Sequence, residues 1–172
     1  MVAINGRPIL WHIMQSYAKQ GFNDFVLCAG HLSGHVKQYF VDSRLHNSDI
    51  RVNTRTGDVS FLGDTGQDWT VLVADTGEET QTAGRLSRVS QYLSDAEPFF
   101  LTYGDGLCDI DINALLDFHK AHGRLATITG VAPLGRFGEL ELDGHRVVEL
   151  REKPEQVDRY INGGYMVLER QF

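Results

Sequence analysis

Hydrophobic and polar positions along the chain fall into two alternating patterns. Short, almost unbroken apolar runs recur at 24–30 (DFVLCAG), 69–75 (WTVLVAD), 98–104 (PFFLTYG) and 126–133 (ATITGVAP). Runs of this length and β-branched content predict strands buried on both faces, the pattern of a parallel sheet. Between them lie segments with helical spacing. Residues 8–20 (PILWHIMQSYAKQ) place apolar side chains at 9, 10, 13, 14 and 17, with Pro8 in the first turn and Gly21 as the stop. Further helices are predicted around 33–40, over 83–93 with Leu86, Val89 and Leu93 on one face, and over 110–121.

Two stretches break this alternation. Residues 49–64 are polar with a Gly57-Asp58 turn, which predicts a surface hairpin. Residues 138–154 alternate apolar and polar across Asp143-Gly144, a second hairpin signal, and 160–169 (YINGGYMVLE) predicts a closing strand. Strand–helix alternation followed by a β-rich end predicts an α/β protein with a three-layer, Rossmann-like fold around a mostly parallel sheet. With 172 residues and neither repeat nor linker, a single domain over 1–172 is expected.

Composition narrows the function. A net charge of −7 and a pI near 5.4 argue against a nucleic-acid surface, so any anionic ligand must be met by local groups. No apolar run approaches the ~18 residues of a membrane span, and the N-terminus lacks a basic signal region, so a cytoplasmic protein with no membrane partner is expected. Cys28 and Cys108 stand in apolar, strand-like contexts without metal spacing and are expected as reduced thiols. His119 and His122, three apart, suggest surface or helix-end residues rather than ligands.

Four motifs carry candidate chemistry. In YGDG, 103–106, Asp105 follows a predicted strand between Gly104 and Gly106. Ligands of open α/β sheets collect at such strand ends, and a lone carboxylate suits Mg²⁺ completed by phosphate and water. A tight turn with a solvated Asp is the competing reading, and Asp111 reads as a helix cap. In DTGEETQTAGRLSR, 75–88, a Thr/Gly loop enters a helix carrying Arg85 and Arg88, which reads either as an anion site or as capping by Thr82 with solvated arginines. In REKPEQ, 151–156, Lys153 reads as a phosphate contact or as a surface charge. In INGGYMVL, 161–168, Asn162-Gly163-Gly164 marks close approach by a ligand or another backbone, or a β-bulge.

In this order the motifs resemble the sugar-1-phosphate nucleotidyltransferases, and within them the glucose-1-phosphate cytidylyltransferase branch. GRPILWHIM (6–14), DTGEETQTAGRLSRV (75–89), LTYGDGLCDIDINALLDFHKAHG (101–123), GRFGEL (135–140), REKP (151–154) and INGGYMVL (161–168) carry the resemblance over nearly the whole chain. It implies Mg²⁺-dependent transfer of a cytidylyl group from CTP to glucose 1-phosphate, giving CDP-glucose and pyrophosphate. UTP- or dTTP-using relatives share the same central residues, and relatives commonly assemble as homo-oligomers. By resemblance Arg85, Asp105 and Lys153 are catalytic, with Asp105 holding the metal. Thr82, Gly84, Arg85 and Gly104 contact the nucleotide, and Glu152, Lys153, Asn162 and Gly163 the sugar phosphate.

The sequence also departs from the family. Its first residues align after the family's glycine-rich phosphate loop and Lys-Pro segment, Phe172 precedes a second metal-binding aspartate, and Ala83 replaces a usual glycine. These departures imply a truncated chain, inactive by itself. The alternatives are a sugar-nucleotide-binding module without catalysis and a structural remnant.

Overall fold

The predicted apolar runs form paired strands in a computed structural model that describes residues 2–63, 66–93, 98–133, 139–151 and 160–172. Two compact units make up the chain, Met1–Asp95 and Ala96–Phe172.

The first unit opens with a two-stranded ribbon, β1 (Ala3–Ile4) and β2 (Arg7–Pro8), turned by Asn5 and Gly6 at positive φ. Helix α1 (Ile9–Ala18) buries Ile13, Met14 and Tyr17 and stops before Gly21, whose φ of +97° suits a residue without Cβ. Strand β3 (Asp24–Ala29) leads through α2 (Ser33–Val41) and the short α3 (Ser43–Asn47) to the hairpin of β4 (Asp49–Val52) and β5 (Val59–Leu62). Strand β6 (Thr70–Asp75) then pairs with β3 in parallel, from Asp24 opposite Thr70 to Ala29 opposite Asp75. Helix α4 (Thr82–Val89) follows, extended by one 3₁₀ turn at Ser90–Tyr92. Helix α2 packs on β6 and α4 on β3, so the carboxyl ends of both strands and the loops leaving them stand side by side.

The second unit runs through β7 (Phe99–Thr102), α5 (Ile112–His122), β8 (Ala126–Val131), β9 (Glu139–Asp143), β10 (Arg146–Arg151) and β11 (Ile161–Leu168). Strands β9 and β10 form the predicted hairpin, with Gly144 and His145 between the paired ends Asp143 and Arg146, one position later than the Asp-Gly signal. Strand β11 lies between β7 and β8 and is antiparallel to both. Tyr165 to Leu168 are buried without alternation and form the core with Ile112 and Leu115. The mixed α/β architecture agrees with the sequence. The parallel pairing lies in β3–β6, while the antiparallel β11 shows the same all-apolar pattern because it is central; burial on both faces does not encode strand direction.

No helix among the described residues is long and apolar enough to cross a membrane.

Candidate functional site

Apart from Glu152 and Lys153, the sequence-predicted residues fall in two loop constellations, one in each unit. The first leaves β6. Thr76 is fully buried, and both its N–H and its hydroxyl donate to the Ala29 carbonyl at 2.8 Å, joining the ends of β6 and β3. Arg85, half-buried on the first turn of α4, reaches back over the loop. Its Nη1 donates to Thr76 Oγ1 at 2.7 Å and its Nη2 to the Glu78 carbonyl at 3.0 Å. Arg88 Nη1 donates to the Thr76 carbonyl, and Gly77 N–H donates to Asp75 Oδ1 at 3.0 Å.

The arginines reach loop acceptors, although Arg88 stays exposed and Arg85 is half-buried. The capping expectation is corrected. Thr82 is not the cap: it is the first helical residue, and Gln81 occupies the N-cap without a side-chain hydrogen bond. Gly84 faces the loop too, since a Cβ there would lie 2.8 Å from the Thr80 methyl. Nearby, burial pushes the Cys28 thiol pKa up, with the Arg85 charge acting in the opposite direction.

The second constellation leaves β7. Tyr103 to Asp109 form an exposed loop with Asp105 between Gly104 and Gly106, and a Cβ at either glycine would meet nothing within 4 Å. Space is therefore open on both sides of the carboxylate. Contacts that hold the loop include Tyr103 N–H donating to the Gly164 carbonyl at 3.3 Å, Asn162 Nδ2 to the Tyr103 hydroxyl at 3.2 Å, and the Tyr165 hydroxyl to the Gly106 carbonyl at 3.2 Å. Asn162 is thus brought to the YGDG loop. Its Oδ1 also accepts Gly164 N–H at 2.8 Å, bracing the register shift between Asn162 and Met166.

The bulge and the close approach are both present. A Cβ on Gly163 would lie 2.8 Å from Thr129 Oγ1 and Val131 Cγ2, and Gly164 has a φ of +81°. Asp111 caps α5 as expected, its Oδ1 accepting Ala114 N–H at 2.9 Å.

Other expectations change. Cys108 sits in the exposed loop and not in a strand, because β7 ends at Thr102. His119 is fully buried rather than on the surface: Nδ1 lies 2.8 Å from Thr127 Oγ1 and Nε2 3.1 Å from Glu169 Oε1. Glu152 and Lys153 lie outside the described residues. Among the described residues no group of three or more His, Cys, Asp or Glu could enclose a metal ion. A lone, uncrowded carboxylate such as Asp105 fits only an ion that completes its shell elsewhere, which is how Mg²⁺ binds with phosphate and water. Sequence reasoning missed Thr76 and Tyr165. Their type carries no chemical motif, and only the three-dimensional contacts reveal them.

The model of the Nucleotidyl transferase family matches residues 1–172. A glucose-1-phosphate cytidylyltransferase of Salmonella typhi is 44% identical over 168 residues, covering 98% of this chain and 65% of that relative. The mannose-1-phosphate guanylyltransferase catalytic subunit beta of Danio rerio is 26% identical over 97% of this chain and 42% of its own length. The crystal structure of HddC from Yersinia pseudotuberculosis complexed with GMP-PN superposes with a TM-score of 0.64 at 21% identity, covering 99% of this chain and 67% of that one; this likeness is one of fold. The chain spans about 65% of the length of the cytidylyltransferases it matches.

Proposed function

The chain belongs to the nucleotidyl transferase family, and on that premise we propose that it serves Mg²⁺-dependent cytidylyl transfer from CTP to glucose 1-phosphate, giving CDP-glucose and pyrophosphate. The observation that carries this reading is the 44% identity to glucose-1-phosphate cytidylyltransferase across 98% of the chain. The family match runs through both compact units, which supports taking 1–172 as one nucleotidyltransferase-like domain.

A phosphate oxygen of glucose 1-phosphate attacks the α-phosphorus of CTP, the bond to the β-phosphate oxygen breaks, and pyrophosphate leaves. The attacking oxygen is already anionic, so no strong base is required. The protein's task is positioning and charge neutralisation. Asp105 would hold Mg²⁺, whose charge offsets that of the triphosphate oxygens. Gly104 keeps the strand end free of side-chain bulk where the nucleotide lies. The 76–81 loop and the first turn of α4, with Thr82, Gly84 and Arg85, contact the nucleotide. Asn162 and Gly163, held beside Tyr103, bind the sugar together with Glu152, and Lys153 meets the sugar phosphate. A cytoplasmic, homo-oligomeric protein is consistent with this role.

Pyrophosphate release from CTP, UTP and dTTP with glucose 1-phosphate and Mg²⁺ tests the reading. Mg²⁺-dependent nucleotide binding that Asp105→Asn abolishes, with CTP preferred in binding and in any turnover, while thermal unfolding stays unchanged, is the expected outcome. CDP-glucose binding without turnover would instead mean a binding module, and preference for another nucleotide would move the chain to a different branch.

A further inference from the structure

We infer that Gly30 and Thr76 are positioning residues that turn Arg85 into a clamp, one that holds the 76–80 loop closed. The inference deepens the proposed function, resting on that loop as the nucleotide loop.

A guanidinium carries five N–H donors in one plane, and its geometry is fixed only when acceptors and packing surfaces match that plane. Thr76 Oγ1 takes Nη1 at 2.7 Å and the Glu78 carbonyl takes Nη2 at 3.0 Å, so the clamp uses two of the five donors. The direction of the Thr76 bond is determined. The Thr76 hydroxyl hydrogen goes to the Ala29 carbonyl at 2.8 Å, leaving a lone pair of Oγ1 to face Arg85. Thr76 N–H goes to the same carbonyl, and the Thr76 carbonyl accepts Arg88. Every polar atom of this fully buried residue is therefore engaged in joining β3, β6 and α4.

Gly30 supplies the remaining constraint. A Cβ at that position would lie 2.6 Å from both Nη1 and Nη2, so the guanidinium occupies the volume a side chain would need. The glycine is required by the arginine, and the arginine by the loop. A loop closed in advance loses less conformational freedom on binding, which favours affinity.

Hydrogen exchange across 76–81 and steady-state kinetics would be measured for Thr76→Val, Thr76→Ser and Gly30→Ala. Valine keeps the shape and removes the acceptor; serine keeps the hydroxyl. We expect Thr76→Val and Gly30→Ala to speed exchange in the loop and raise the KM for CTP by about tenfold each, the scale of one charge-assisted hydrogen bond. The KM for glucose 1-phosphate should stay within about twofold, and Thr76→Ser should stay within about threefold of wild type in both readouts.

Exchange in Thr76→Val equal to wild type, or serine loosening the loop as much as valine, would overturn the clamp. So would a CTP KM unmoved in a loosened loop. If the wild-type protein uses no nucleotide, the proposed function fails while exchange still decides the clamp. If Thr76→Val does not fold, Gly30→Ala carries the same comparison.

Discussion

The Tyr165 hydroxyl donates to the Gly106 carbonyl at 3.2 Å, so a core residue of β11 holds the loop that presents Asp105. Tyr165 is 1% exposed, and its ring forms part of the floor beneath an otherwise open loop. Tyr165→Phe keeps that floor and removes the tether. Loss of one neutral hydrogen bond corresponds to about three- to tenfold in an equilibrium. The variant should therefore fold, exchange amide hydrogens faster over 103–107, and require about three- to tenfold more Mg²⁺ for half-maximal CTP binding. Unchanged exchange and Mg²⁺ requirement would show that the loop is ordered without the tether.

The same hydroxyl gives a pH signature. Burial first, and then the neighbouring Cys108 thiol, push the Tyr165 pKa from 10.0 to about 12. The folded chain therefore keeps this proton after the unfolded chain has lost it. The contribution to stability is complete below pH 10 and is lost as pH rises towards 12. Urea unfolding from pH 8 to 11.5 should show a steeper decline for wild type than for Tyr165→Phe, and parallel curves would contradict the shift.

What the sequence disclosed depended on how local the cause was. Strand β3, helix α1 and the Asp111 cap follow from apolar spacing and a single side-chain bond within three residues, and all are present. The direction of β11 and the ion-pair partner of buried His119 depend on residues about 30 to 70 positions away in sequence, and no periodicity records them. The candidate site shows the same division. Asp105 and Asn162 were legible because glycines flank them, whereas Thr76 and Tyr165 act through hydroxyl groups that sequence spacing cannot aim. The arginines were legible by type and not by partner, since the acceptors that hold Arg85 are a threonine hydroxyl and a main-chain carbonyl.

Two glycines of similar sequence context should answer oppositely to alanine. At Gly163 the new methyl would lie 2.8 Å from two side-chain atoms of β8 and 3.2 Å from the Thr129 carbonyl, so Gly163→Ala should lose about 1–3 kcal/mol by overpacking. At Gly104 nothing lies within 4 Å, so Gly104→Ala should leave the unfolding midpoint unchanged. If the nucleotide lies against that strand end, Gly104→Ala alone should weaken CTP binding at full stability. Binding and melting curves for the two variants separate the packing constraint at Gly163 from the ligand clearance at Gly104.

The cysteines should differ in reactivity. Cys108 is exposed, while Cys28 is half-buried on β3 and its thiol is shifted towards the neutral form. Only the thiolate is the nucleophile. Iodoacetamide at neutral pH should label Cys108 at least about tenfold faster than Cys28, as read by mass spectrometry of the two peptides. Equal labelling would place Cys28 in a more open setting than β3 provides.

A hydrogen-bond chain of definite direction runs through the end of α5. Arg124 N–H donates to His122 Nδ1 at 3.0 Å, so neutral His122 carries its proton on Nε2 and donates to Thr127 Oγ1 at 2.7 Å. The Thr127 hydroxyl then donates to His119 Nδ1 at 2.8 Å, and His119 Nε2–H donates to Glu169 Oε1 at 3.1 Å. The chain runs one way and ties the end of α5 to β8 and to the residue after β11. Proton–nitrogen correlation spectra should show both imidazoles as Nε2–H tautomers. Thr127→Val strands the buried His119 Nδ1 and should lose about 1–3 kcal/mol. His119→Ala also opens a cavity and should lose about 2–5 kcal/mol. Because both act on one network, the double variant should lose clearly less than the sum. Additive losses, or an Nδ1–H tautomer at His119, would refute the directed chain and leave two independent contacts.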